Sequence, residues 1–279
     1  MKLCDLHTHS VFSDGTWTPE ELIRQAERLG LEAIALTDHN TVAGLPDFLV
    51  AAQNREVEAV AGVEFSSDFE DKDVHIVALF VKENHFDTIT AVLHDAQMQK
   101  EQSNHTLVEN LQKAGYDITY ENVCKGASGS INRAHVAAEL VRCGYVATVK
   151  EAFSTLLDAK FGLYTPPKRM TSLEAIAFIK SLGAVAVLAH PLLTMKEDQL
   201  RRFLPQAVSA GLDAMETEYS TYDEETTCLA RQIAQEFGLK RSGGSDFHGD
   251  RKPDIFLGSG RGALKVDAQL VQELKKSVK

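Results

Sequence analysis

Short apolar runs alternate with amphipathic helical segments along most of the chain. The first helix is predicted from Thr18, because Thr18-Pro19-Glu20-Glu21 has the composition of a capping box, to Gly30, which ends it. The apolar run that follows, residues 31–36, predicts a buried strand. The same order of helix, glycine and strand is repeated farther along, and the strands it predicts are residues 184–189, 212–218 and 239–243. Three more strands are predicted at residues 3–6, 58–63 and 73–81.

This alternation predicts an α/β fold. Nearly continuous apolar strands separated by helices are typical of a parallel sheet that is buried on both faces. In such sheets, whether they are closed barrels or doubly wound, functional groups collect at the carboxyl ends of the strands.

One long segment interrupts the alternation. Residues 98–166 predict helices without matching strands, and these helices are residues 106–114, 133–143 and 149–157. We therefore expect residues 98–166 to form an inserted helical cap. The barrel domain would then consist of residues 1–97 and 167–279.

Composition and charge narrow the classes of function. The 279 residues suffice for one large α/β domain with an insertion. A net charge of −11 argues against a large nucleic-acid surface, but it is compatible with a small phosphorylated substrate held by metal ions. The four cysteines include no C-x-x-C pair, which argues against a thiolate zinc site. Because no apolar run reaches transmembrane length and the polar start does not resemble a signal peptide, a cytoplasmic protein without a membrane partner is expected.

Chemically capable side chains stand at the ends of the predicted strands. His7 and His9 follow the first strand, and an H-x-H pair in extended chain places both imidazoles on one side. Such a pair alone is more often part of the surface than of a metal site. The other strand ends carry further histidines and carboxylates, namely Asp14, His39, Glu64, His75, His190, Asp246 and His248. Since six of the ten histidines lie at or beside a strand end, chance placement is a poor explanation.

Together these nine residues predict a multinuclear metal site. They are too many ligands for one ion of ordinary coordination number, and a carboxylate such as Glu64 can bridge two ions. Imidazole with carboxylate suits Zn, Mn or Fe and does not suit Ca. Bridged ions activate water at neutral pH and hold both oxygens of an in-line phosphoryl displacement. Gly243 and Gly244 are expected to let the backbone approach the metals closely.

Six short motifs occur in order along the chain: Asp5-Leu6-His7-Thr8-His9-Ser10, Ser13-Asp14-Gly15, Thr37-Asp38-His39, Gly62-Val63-Glu64, His190-Pro191 and Ser245-Asp246-Phe247-His248. Their residues and order resemble those of the PHP (polymerase and histidinol phosphatase) superfamily. The resemblance implies a distorted (β/α)7 barrel that holds three divalent transition-metal ions, either Mn, Fe or Zn. It also implies three ligand sets, namely His7, His9, Glu64 and Asp246 for one ion, Glu64, His75 and His190 for the second, and Asp14, His39 and His248 for the third.

Other features resemble one branch of that family, the small stand-alone nucleotide phosphatases. Asp14 stands where some relatives have histidine. Arg133 and His135 lie where this branch carries an Arg-x-His element in its cap, so they are predicted to bind substrate phosphate and to be catalytic together with Asp246. His135 is also the candidate proton donor to the leaving group. Residues 97–104 depart from the branch, because they lack its paired arginines and contain Lys100 as their one basic residue.

The resemblance implies hydrolysis of a phosphomonoester on a nucleotide-like substrate by attack of metal-activated hydroxide, with 3′,5′-bisphosphonucleotides favoured. One alternative is 5′→3′ exonucleolytic trimming of short RNA oligonucleotides by the same machinery. Others are histidinol-phosphate hydrolysis and a non-catalytic PHP module, although such modules lose ligands and all nine positions are filled here. A metal-dependent amide hydrolase on a similar barrel would be expected to have a bridging lysine and no phosphate-binding cap.

Overall fold

Seven strands form one sheet, in the order of the chain, in a computed structural model that describes residues 2–70, 72–125, 131–167 and 169–279. The strands are β1 (Cys4–Asp5), β2 (Ala33–Leu36), β3 (Glu58–Phe69), β4 (Lys72–Leu79), β5 (Val185–Leu188), β6 (Ala214–Tyr219) and β7 (Lys240–Gly244). The α-helices are α1 (Pro19–Arg28), α2 (Leu45–Ala51), α3 (Phe86–Lys113), α4 (Tyr120–Lys125), α5 (Arg133–Arg142), α6 (Val149–Ala152), α7 (Ser172–Ser181), α8 (Pro191–Thr194), α9 (Glu197–Ala210), α10 (Glu224–Glu236) and α11 (Gln269–Lys275). Each predicted strand is present.

The fourth strand departs from the predicted parallel sheet. β1, β2 and β3 are parallel, as are β5, β6 and β7, but β4 runs antiparallel to both of its neighbours. Phe69 of β3 pairs with Lys72 of β4, so the connection is far too short for the helical crossover that a parallel pair requires. As a result, the start of β4 lies at the same edge of the sheet as the carboxyl ends of the other strands.

The two outer strands approach each other and nearly close the sheet into a barrel. The Leu6 N–H donates to the carbonyl of Gly243 at 3.2 Å, and the Asp246 N–H donates to the carbonyl of His7 at 2.8 Å. A Cβ on Gly244 would lie 2.4 Å from Cβ of His7, which no real side chain permits. Close contact between the outer strands therefore requires glycine at position 244. This closure confirms the predicted (β/α)7 barrel.

Local sequence explains where the helices of the barrel begin and end. The capping box predicted at Thr18 is formed with Glu21, and Thr171 forms another with Glu174 at the start of α7. The glycines that follow the four predicted helices all have positive φ, a conformation that disfavours side chains, and they are Gly30, Gly183, Gly211 and Gly238.

A buried apolar cluster supports the barrel. The cluster consists of alternate residues of several strands, for example Ala33 and Ala35 of β2 and Val185 and Val187 of β5. Helix α11 adds Leu270, Val271 and Leu274 to the same cluster.

The chain forms two compact units, one made of Met1–Thr90 and Met170–Lys279 and the other of Ala91–Arg169. In the described part of the second unit the regular elements are helices, and α3 and α5 pack their apolar faces into a separate core. The assignment of residues 98–166 as a cap stays a prediction. None of the helices in the described residues is both long and apolar enough to cross a lipid bilayer.

Candidate metal centre

The structure brings all nine predicted ligand residues into four overlapping groups of side chains. The nitrogen and oxygen atoms that each group offers lie within 4.8 Å of one another. The groups are His9, Asp14, His39 and His248; His7, His9 and Asp246; His7, Glu64 and His190; and His39, Glu64 and His75. His75 and His190 fall in different groups, although the resemblance assigns both to one ion.

Strand direction explains how these residues meet. His7 and His9 follow β1, and His39 follows β2, as predicted for the carboxyl ends of parallel strands. His75 lies near the start of β4 and reaches the same edge because that strand is antiparallel. Glu64 lies inside β3 rather than after it, because pairing with β4 extends β3 beyond the edge of the barrel.

Two of the residues adopt a left-handed backbone conformation. The φ angle of His190 is 30° and that of Asp246 is 54°. Such conformations are uncommon for residues other than glycine, and they persist where the surrounding structure imposes them, often at functional sites. Here they turn both side chains toward the other candidate ligands.

Glu64 lies at the centre of the arrangement and is fully buried. Its Oε1 atom lies 2.8 Å from Nδ1 of His75 and 3.3 Å from Nε2 of His190. Its Oε2 atom faces a different set of imidazoles, with Nδ1 of His39 at 2.9 Å and Nε2 of His7 at 3.2 Å. The two oxygens therefore face separate groups of histidines, which is the geometry that a bridging carboxylate needs.

Several buried polar atoms of this cluster have no hydrogen-bond partner. Such atoms are rare in proteins because each costs free energy when it is removed from water. Among the described residues, those of the cluster are Nε2 of His7, both ring nitrogens of His9, Nδ1 of His39, Nδ1 of His190 and Oε2 of Glu64. All are electron-pair donors or can become so, and bound cations would satisfy them. The donor set therefore fits a multi-metal centre.

The electrostatics of the cluster favour bound positive charge. Burial lowers the pKa of His9 to about 3, so its imidazole is neutral near pH 7, as a metal ligand must be. Burial would raise the pKa of Glu64, but the neighbouring imidazoles of His7, His190 and His39 hold it well below its usual range. Burial would likewise raise the pKa of Asp246, but the neighbouring His7 and His9 hold it well below its usual range. Metal ions would supply the positive charge that these carboxylates require.

The group around Asp14 is held by a neighbouring carboxylate. Oδ1 of Asp14 lies 3.2 Å from Nε2 of His248 and 3.9 Å from Nε2 of His39. The buried Asp38 accepts hydrogen bonds from the backbone N–H and the hydroxyl of Ser10 and from the hydroxyl of Ser13. Asp38 therefore fixes the loop that carries Asp14.

Glu216 is a supporting residue that the sequence predictions do not include. This buried residue of β6 places its Oε1 atom 2.9 Å from Nδ1 of His7, and its Oε2 atom accepts the backbone N–H of His190 at 2.7 Å. A carboxylate on the second ring nitrogen of a histidine orients the ring and strengthens the first nitrogen as a ligand. The sequence did contain a signal for this role, because a carboxylate inside a buried strand needs polar partners.

Asp246 has two supporting partners. The hydroxyl of Tyr219 and the ammonium group of Lys252 each donate to Oδ2 of Asp246 at 2.7 Å. Burial and the adjacent carboxylate of Asp246 raise the pKa of Tyr219, so its hydroxyl keeps the proton that it donates.

Arg133 and His135 belong to the second unit. The Arg133 guanidinium carbon lies 4.3 Å from the centroid of the Tyr164 ring, and its Nη1 donates to the carbonyl of Leu157 at 3.1 Å. Nδ1 of His135 accepts the backbone N–H of Asn132 at 3.1 Å, which caps α5. These contacts hold both side chains within their own unit, and their predicted contact with substrate stays a prediction.

The model of the PHP domain family matches residues 5–163, more than half of the chain. This chain belongs to the PHP family. Members with curated functions are similar over nearly the whole length. A 5′-3′ exoribonuclease of Haemophilus influenzae is 33% identical over 248 residues, which are 88% of this chain and 90% of the relative. A 3′,5′-nucleoside bisphosphate phosphatase of Chromobacterium violaceum is 28% identical over 247 residues, which are 88% of this chain and 86% of the relative.

A solved structure is similar as well. A protein of Bifidobacterium adolescentis, provisionally described as a metal-dependent phosphoesterase, superimposes with a TM-score of 0.69 at 30% identity, and the match covers 100% of this chain and 97% of that one. The predicted family and PHP barrel are confirmed, and the chain is a metal-dependent phosphoesterase with buried clusters suited to several metal ions. Each of the two leading predictions of substrate has a counterpart among these relatives, and the exoribonuclease is the more similar of the two in sequence.

Proposed function

We propose that this chain is a 5′→3′ exonuclease that acts on short RNA oligonucleotides. The observation that carries the chemistry is the convergence of nine histidine and carboxylate side chains around Glu64, with buried donor atoms that lack partners. The RNA substrate is supported by the similarity, over 88% of the chain, to a 5′-3′ exoribonuclease. A net charge of −11 is compatible with a short oligonucleotide, because metal ions and not a broad basic surface would hold it.

The nine residues would hold three divalent ions. Glu64 would bridge through its two oxygens, and Oδ1 of Asp246, which faces His7 and His9, would be a ligand of the same centre. Ions in such a centre supply activated water at neutral pH and neutralise charge on a phosphate group. Other residues of the protein would position the ligands, since Asp38 fixes the Asp14 loop and Glu216 orients His7.

Metal content tests this centre first. We expect the protein, supplied with Mn²⁺ and then freed of excess ions, to retain more than one transition-metal ion per chain, because the donor groups are too numerous for one ion. Elemental analysis of the protein gives the stoichiometry. A fully occupied centre with a single ion per chain would contradict the trinuclear assignment.

A 3′,5′-bisphosphonucleotide phosphatase is the second candidate, favoured by the similarity to the Chromobacterium violaceum enzyme. The two functions release different products. On 5′-phosphorylated short RNA the exonuclease would release mononucleotides in order from the 5′ end, whereas the phosphatase would release inorganic phosphate from a bisphosphonucleotide. Product analysis with Mn²⁺-loaded protein on both substrates decides between them, and kcat/KM ranks them if both are used.

Arg133 offers a test of substrate recognition. Arg133→Ala should leave the metals bound and lower kcat/KM by roughly ten- to a hundredfold, because a charge-assisted hydrogen bond to phosphate contributes about 1.5–3 kcal/mol. Arg133→Lys should recover part of this loss, since an ammonium group cannot form the paired contacts of a guanidinium. Steady-state kinetics and metal analysis on the same preparations give both quantities.

The contacts of Arg133 inside its own unit require a control for stability. Arg142→Ala removes an arginine from the same helix, where it pairs with Glu139 at 2.6 Å, and should retain the parent kcat/KM. Thermal unfolding of each variant separates loss of packing on Tyr164 from loss of substrate contact. If Arg133→Ala matches the parent on every phosphorylated substrate, Arg133 has a structural role alone.

A further inference from the structure

A lysine that has no role in the sequence predictions lies beside the metal centre. Nζ of Lys252 donates to Oδ2 of Asp246 at 2.7 Å, and the hydroxyl of Tyr219 donates to the same oxygen. Oδ1 of Asp246 instead faces Nε2 of His9 at 3.2 Å and Nε2 of His7 at 3.6 Å. One oxygen of Asp246 is therefore directed to the centre, and the other is held by two donors beside it.

The ammonium group of Lys252 is accessible as well as paired. The Lys252 side chain is 40% exposed, whereas that of Asp246 is 8% exposed. An ammonium group has three N–H donors, and the contact with Oδ2 uses one of them. The other two can therefore donate to an anionic group that enters the centre from solvent.

The backbone around Lys252 is fixed. Its N–H donates to the carbonyl of Gly249 at 3.1 Å, and its carbonyl accepts the N–H of Ile255 at 2.9 Å. The N–H of Asp250 donates to Oγ1 of Thr16 at 2.9 Å, which joins this turn to the loop that follows His9. Because the turn is already ordered, placing the ammonium group against a ligand costs little further backbone entropy.

We propose that Lys252 donates to a phosphate oxygen of the bound substrate while it stays paired with Asp246, and is thus a substrate-binding residue of this phosphoesterase. The contact would add a point charge, typical of lysine at phosphate sites, to the charge that the metals supply. The proposal rests on the proposed phosphoesterase centre, but it is independent of whether the substrate is RNA or a bisphosphonucleotide, because the phosphate group is common to both.

Binding of inorganic phosphate to the Mn²⁺-loaded protein tests this assignment without a need for turnover. Calorimetry should show phosphate affinity reduced by roughly ten- to a hundredfold in Lys252→Met, which keeps the apolar stem and removes the charge, with metal stoichiometry equal to that of the parent. Lys252→Arg should recover most of the affinity, because it restores a cation. On hydrolysed substrates, Lys252→Met should raise KM more than it lowers kcat.

Lys275→Met is a matched control. Lys275 forms an ion pair of the same length with Glu58, at 2.7 Å, and its side chain is 37% exposed. Glu58 is the first residue of β3 and lies at the edge of the barrel away from the carboxyl ends of the parallel strands, where the candidate ligands collect. Replacement of Lys275 should not change phosphate affinity. The proposal is overturned if Lys252→Met binds phosphate within about twofold of the parent. It is also overturned if Lys252→Met loses metal, because Lys252 would then act only through Asp246. Failure of the parent to cleave RNA or bisphosphonucleotides would refute the proposed function while leaving this phosphate comparison intact.

Discussion

Asp246→Ala is expected to abolish most turnover and to lower the metal content at the same time. Oδ1 of Asp246 faces His7 and His9, and we assign it as a ligand of the ion that those histidines hold. An ion of this kind contributes several kcal/mol of transition-state stabilisation, so its loss should reduce kcat by on the order of a thousandfold or more. Elemental analysis and steady-state kinetics on one preparation measure both effects.

The backbone of Asp246 calls for a second variant. Its φ of 54° lies in the left-handed region, which asparagine and aspartate tolerate better than alanine does. Asp246→Asn therefore keeps the backbone preference and the shape while it removes the negative charge, and it should lose activity to a similar extent. If Asp246→Asn and Asp246→Ala both keep the parent metal content and rate, the assignment of the whole centre is wrong.

Glu64→Gln is expected to be comparably severe, although the side chains have the same size. Oε1 of Glu64 faces His75 and His190, and Oε2 faces His7 and His39, so both oxygens are needed to join the two groups. Glutamine replaces one oxygen with an NH₂ group that donates and cannot bind a cation. We expect the loss of at least one ion per chain and a fall in kcat of on the order of a thousandfold.

Glu58→Gln is the matched control for Glu64→Gln. Glu58 is on the same strand, and its contact is an ion pair with Lys275 that is partly exposed to solvent. Surface ion pairs of this kind contribute little, so stability, metal content and rate should all stay close to the parent values. A Glu64→Gln protein with the full metal complement would show that Glu64 does not bridge.

The strands and the capped helices of the barrel were predictable because local chemistry specifies them, whereas α3 begins at Phe86, well before the predicted residue 106. Thr18 and Glu21 cap α1 through hydrogen bonds between residues three positions apart, and Thr171 and Glu174 do the same for α7. Apolar periodicity marks the buried strands in the same local way. The direction of each strand was harder to predict from the sequence. The sequence of β4 is that of an ordinary buried strand. It runs antiparallel because its connection to β3 is too short for a crossover, whereas the alternation of strands and helices elsewhere predicted a parallel strand.

The candidate ligands were identifiable because histidine and carboxylate are conspicuous at the ends of apolar strands. Their supporting residues were not. Glu216 stands 209 positions after His7 in the sequence, and their contact exists because β6 and β7 bring the barrel round to β1. Lys252 has the appearance of an ordinary loop lysine until the turn of residues 249–255 places its ammonium group on Asp246.

The sequence by itself determined the family, the positions of the seven strands, the ends of the capped barrel helices and the nine side chains of the candidate centre, since each depends on residue type and on spacing along the chain. Only the tertiary structure decided which oxygen of Glu64 faces which histidines, how His75 reaches the centre, and that Glu216 and Lys252 support it. The physical reason is that these contacts join residues far apart in the chain. The distances between these side chains are set by closure of the barrel and by the direction of its strands, and the local sequence around each residue specifies neither.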